Sequence, residues 1–113
     1  MTVFEKNHRA IRPFGYPYTA GVYEGKEKRW FTFNFSDDYG DAYADDTPQS
    51  VIVEVQIHFF LPYEEDFTRV KNKIRNAIFR QGFTFPEIHI LEDENPDIRH
   101  LVFECKIEER EGE

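Results

Sequence analysis

Four histidines, two serines, one cysteine and a run of aspartates are the residues of this 113-residue chain whose types could do chemistry. His58, His89 and His100 fall in strand-like runs, each where alternation places the side chain opposite the apolar face. Imidazoles gathered on one sheet face could hold a metal ion or move protons, because the ring titrates near neutrality and its nitrogens coordinate divalent cations. Three unrelated surface rings are the plain alternative, and strand order decides between the two. Asp37, Asp38, Asp41, Asp45 and Asp46 invite a calcium reading, but the spacing does not fit. Counted from Asp37, an EF-hand loop would carry Ala42 where it needs glycine and Pro48 where it needs glutamate. Ser36 and Ser50 sit in no G-x-S-x-G elbow, and there is no phosphate-cradling glycine loop. Cys105 falls on the apolar side of a strand-like run, where a thiol serves as a small buried hydrophobe. The residues therefore assign no catalytic, cofactor-binding or metal-binding set, and the expectation is a protein that is not an enzyme and carries no cofactor.

Those side chains need elements to position them. Ser50–Leu61 is the clearest strand, with Val51, Val53, Val55, Ile57 and Phe59 on one face and Glu54, Gln56 and His58 on the other. Thr19–Glu24 and Arg29–Ser36 read as a hairpin around Gly25–Lys28, the second run carrying Phe31, Phe33 and Phe35 on one side. Asp37–Pro48 loses all periodicity and reads as a long exposed loop. Glu64–Gln81 predicts the one amphipathic helix, from Phe67, Val70, Ile74, Ala77 and Ile78, with acidic residues at its start and Gly82 as its stop. Glu87–Leu91 and Ile98–Glu108 complete a β-β-β-α-β-β order, with Leu101, Phe103, Cys105 and Ile107 facing inward in the last strand. The expected fold is α+β, a two-layer sandwich of a mainly antiparallel sheet and one helix. Residues 1–18, punctuated by Pro13, Gly15 and Pro17, read as a mostly extended arm, with a short helical turn before Ile11 as the alternative, 19–108 as a single domain and 109–113 as a charged tail.

At 113 residues the chain has room for one core, and 40% apolar content with 12 phenylalanines supplies it. One cysteine excludes a disulfide framework. No stretch reaches the roughly 18 apolar residues of a membrane span, so no membrane partner is expected. The N-terminus has no signal-peptide pattern, which makes the cytoplasm the expected site of synthesis. Charge is segmented: residues 1–36 balance at +3, 37–66 at −9, 67–82 at +5 and 83–113 at −7, for a net −8. The basic segment holds Arg69, Lys71, Lys73, Arg75 and Arg80 and could touch phosphate. Against the net −8 it reads better as a solvated face that pairs with acidic blocks, and tight DNA binding is not expected. Six tyrosines fall mostly in loops and at element ends, where such rings mark interfaces.

The run Phe14-Gly15-Tyr16-Pro17-Tyr18, then AGVYEGKEKRWFTFNF, then YGDAYADDTP, then VIVEVQIHFF, and a helix ending before Gly82-Phe83, resembles small structural proteins of long-tailed bacteriophages. The resemblance is to tail terminator and tail-completion, or tail-to-head joining, proteins, and covers about residues 13 to 108. Relatives often begin with a longer N-terminal helix, whereas here only some dozen residues precede Pro13. The resemblance implies a homo-oligomeric ring, a hexamer by expectation, at the end of a phage or prophage tail tube. Its partners would be tail-tube and head–tail connector proteins, and its place the virion, after synthesis in a bacterial host. The rival reading is a small metal- or ligand-binding domain, or an enzyme, using the outward histidine face with Asp or Glu partners.

Overall fold

Thr2 and Glu5 cap each other: the Thr2 hydroxyl accepts from the Glu5 N–H and the Glu5 carboxylate from the Thr2 N–H. This reciprocal cap starts a helix, α1, over Val3–Ile11. In the computed structural model, which describes residues 1–44 and 47–109, α1 leads into a 3-10 turn at Arg12–Phe14. The strands are β1 (Tyr18–Ala20), β2 (Trp30–Ala44), β3 (Thr47–Pro62), β4 (Glu87–Glu92) and β5 (Ile98–Glu109), and a second helix, α2, spans Thr68–Phe79. One sheet runs in the order β1-β2-β3-β5-β4, antiparallel throughout except for the parallel β1–β2 pair.

The α+β expectation holds, with two helices rather than one over the sheet. Of the five residues of β3 expected inward, Val53, Val55, Ile57 and Phe59 are buried and Val51 is partly buried against the core; Leu61 extends the buried row. They join Phe31 and Phe33 of β2, Leu101, Phe103, Cys105 and Ile107 of β5, and Ile74 and Ile78 of α2 in one core. Val3, Ala10 and Ile11 of α1 complete it, so the first residues are a packed helix and not an extended arm. The physical reason is burial: α1 lies against α2 and adds its apolar stripe to the same layer.

The expected hairpin at 19–36 is also corrected. Tyr18, Thr19 and Ala20 pair with Phe31, Thr32 and Phe33 in parallel. Gly21, at φ +82°, then takes the chain off the strand line. Tyr23 leaves the sheet edge to stack on Trp30, ring centroids 5.2 Å apart. A Cβ at Gly25 would meet the end of the Tyr23 ring, so a side chain there would push Tyr23 from its place.

The loop expected at 37–48 is strand over most of its length. A bulge between Phe35 and Asp37 places Ser36 out of register, which shifts the alternation by one residue and hides it from a period-two reading. Pairing continues from Asp37↔Glu54 to Ala44↔Thr47, and Asp45 and Asp46 lie outside the described residues. Residues 110–113 of the expected tail are outside them as well, and Glu109 is the last described residue of β5.

α2 begins later than predicted. Glu65 is held by the Arg29 guanidinium, Nε to Oε2 2.8 Å, and the Asp66 carboxylate accepts from the Thr68 N–H at 2.9 Å. Residues 63–67 are thus turns around these contacts. At the other end Gly82, at φ +101°, stops the chain where the sequence places the stop.

Candidate functional site

Both helices cover the same face of the sheet, and the opposite face is open. Three rows of cross-strand partners define it on β2, β3, β5 and β4: Trp30–Phe60–His100–Leu91, Thr32–His58–Val102–His89, and Asn34–Gln56–Glu104–Glu87. The three histidines do share this face. His58 and His100 meet, their ring nitrogens 2.7 Å apart, while Val102 separates His89 from His58 in the row.

The first row is an aromatic ladder. Tyr23 stacks on Trp30, Trp30 on Phe60 at 4.8 Å and 11°, and Phe60 on His100 at 4.2 Å and 19°. These contacts fix the His100 ring, and through it His58.

From His100 a continuous chain of hydrogen bonds crosses the sheet. His58 Nδ1 lies 2.7 Å from His100 Nε2, and His58 Nε2 lies 2.6 Å from Asn34 Oδ1. Asn34 Nδ2 donates to Gln56 Oε1 at 3.2 Å, and Gln56 Nε2 donates to Glu104 Oε1 at 2.9 Å. The ionised carboxylate only accepts, which sets the direction of every link. His58 donates from Nε2, so its Nδ1 accepts, and His100 donates from Nε2. His58 must be neutral for this order to hold, because it accepts at one ring nitrogen and donates from the other. Burial, reinforced by the nearby His100 charge, lowers the His58 pKa to about 4. Burial lowers His100 as well, against the opposing pull of Asp93.

His89 stands at the far end of the chain. Its Nε2 lies 3.3 Å from Glu104 Oε2 and 3.9 Å from Glu87 Oε1. That nitrogen is shielded from solvent yet makes no hydrogen bond among the described residues. Glu87 and Glu104 also border a groove of about 550 Å³ that takes in Asp37, Glu54, Thr84 and Lys106. The groove is strongly acidic on its β2–β3 side.

The other residues with chemical potential are accounted for individually. Cys105 is buried in the core, and burial pushes its thiol pKa up to about 12, which makes it inert. Ser50 Oγ donates to the Asp41 carbonyl, and Ser36 occupies the bulge. Asp37 accepts from the Asp38 N–H at 2.8 Å. Arg75 of the basic segment lies over the Phe85 ring, while Arg69, Lys73 and Arg80 are exposed. Tyr16 stacks on Phe59 and Tyr18 packs against the core, so these two rings are structural rather than free interface groups.

Sequence reasoning missed Glu87, Glu104, Asn34 and Gln56 as members of this face's network. Alternation marks all four as outward. Only the β2-β3-β5-β4 order puts them in one row. Comparison with protein-family models and with curated proteins gives no match to the chain, so its chemistry is read from this geometry.

Proposed function

We propose that the chain is a non-enzymatic virion assembly protein, a tail terminator or head–tail joining subunit that works as an oligomeric ring. The observation that carries this reading is the overlong β2–β3 hairpin. Among the described residues β5 pairs with β3 as far as Val51↔Glu109, and residues 41–44 and 47–50 continue beyond it as a two-stranded ribbon. Such a ribbon is marginal in water by itself and gains stability from a neighbour. β1 covers β2 only at Phe31–Phe33, which leaves the β2 edge from Asn34 onward without a strand partner among the described residues. An open edge of this kind accepts strand addition from a second copy. The 54 × 26 × 25 Å dimensions give the subunit a long reach relative to its body.

Charge supports the same assembly. Asp37, Asp38 and Asp41 are exposed on the hairpin, and Arg69, Lys73 and Arg80 on α2, so opposite charges can meet between copies. Among the described residues no helix is long and apolar enough to cross a membrane. The deciding experiment is light scattering over a concentration series, alone and with isolated phage tail tubes. Species larger than 13.5 kDa, or cosedimentation with the tubes, are the expected results. A monomer at all concentrations that ignores the tubes would remove the assembly reading.

A further inference from the structure

We propose that Glu87, His89 and Glu104 form a site for one divalent transition-metal ion of the zinc class, with an open coordination position on the groove side. The proposal is independent of the assembly role. Among the described residues these three are the group whose imidazole and carboxylate donor atoms converge, all within 4.8 Å of one another.

Three features point to a cation there. Glu87 and Glu104 are direct cross-strand partners, and like charges facing each other across a ladder are destabilising unless a counter-charge lies between them. No Lys or Arg makes an ion pair with either carboxylate among the described residues. Secondly, His89 Nε2 is shielded from solvent without a hydrogen bond, although it faces two carboxylate oxygens. A cation between these groups would give that nitrogen the partner it lacks.

The third feature is geometric. In a tetrahedral zinc site with bonds of about 2.0–2.1 Å, neighbouring donors stand about 3.3 Å apart. The His89 Nε2 to Glu104 Oε2 separation is 3.3 Å. Glu87, whose side chain is 75% exposed, is free to swing the short distance that closes the third bond. Gln56 holds the other Glu104 oxygen at 2.9 Å and leaves Oε2 directed at His89. That is the role of an outer-shell partner, and the hydrogen-bonded chain back to His100 keeps Gln56 in place. One imidazole and two carboxylates suit zinc, manganese or ferrous iron more than calcium, which prefers an all-oxygen shell.

Zinc titration of the metal-free protein by calorimetry tests the site, with cobalt absorption as a readout of coordination geometry. Wild type should bind one equivalent at micromolar affinity or tighter, and bound cobalt should give the intense visible bands of a low-coordinate site. His89→Ala and Glu104→Gln should each weaken zinc at least tenfold, while Glu94→Gln, in the loop between β4 and β5, should not. All three side chains are at least partly exposed, and melting curves without metal verify that each variant is folded. Failure of wild type to bind below millimolar zinc, or unchanged affinity in the His89 and Glu104 variants, would overturn the proposal.

Discussion

A neutral imidazole relays a hydrogen bond only when one nitrogen donates and the other accepts, and the pairing of His58 with Asn34 and His100 requires that arrangement. Protonating His58 would turn its Nδ1 into a second donor facing the donor of His100. The unfolded ring takes up a proton near 6.5 and the folded ring only near about 4. The unfolded chain therefore binds more protons across this interval, and stability falls as pH drops from 6.5 toward 4. Above it both states carry a neutral ring and the contribution disappears. The melting temperature should be lower at pH 5 than at pH 7.5, and His58→Gln should flatten that difference. An equal slope in the variant would mean that other groups set it. Asn7 presents the opposite case. It is fully buried in α1 and neither side-chain amide atom has a partner among the described residues. Removing an unsatisfied buried polar group recovers about 1–3 kcal/mol. Asn7→Leu should raise the denaturant midpoint accordingly, and a loss of stability would show that the amide does find partners in solution.

The β3 strand has the most regular pattern in the sequence, and it is also the centre of the sheet. Val55 is 1% exposed, so Val55→Asp places an unpaired carboxylate in the core and should cost several kcal/mol, read as a collapse of the melting transition. What alternation alone can show, β3, β4, β5 and the heart of α2, was legible from the residues. The elements that were not legible fail for identifiable reasons. α1 offers only Val3, Ala10 and Ile11 to its core face, with the polar Asn7 between them, so its stripe is faint. The second half of β2 is hidden by the bulge at Ser36. β1 pairs in parallel because α1 delivers the chain to that edge, a tertiary cause that no local pattern carries. The candidate site follows the same division. Outward placement of His89, Glu87 and Glu104 is a matter of alternation, but their convergence depends on β4 pairing with β5, which only the assembled sheet provides.

At the scale of the whole molecule, the hairpin and the body are separable. Gly40 and Val51 face each other in register, so an Asn-Gly turn can join them and delete residues 41–50. The shortened protein should melt close to wild type but lose self-association and tail-tube binding; retention of both would place the interface elsewhere. With a net −8, the protein should give no gel shift with duplex DNA at physiological salt. A tight, salt-sensitive complex would instead mark the basic residues of α2 as a nucleic-acid surface. The contact between α1 and α2 has a further consequence, for the order of folding. The β2–β3 ladder joins neighbours in sequence and closes its loop early, whereas α1 must wait for a partner that begins only at Thr68. Docking of α1 is therefore a late event, outside the nucleus. Ala10→Gly, a helix-interior change worth about 1 kcal/mol, should accelerate unfolding and leave the refolding rate nearly untouched. Until α1 docks, a newly made chain holds its hairpin formed and leaves open the part of the core that Val3, Ala10 and Ile11 cover, and in that interval it is most exposed to misassembly with its own copies.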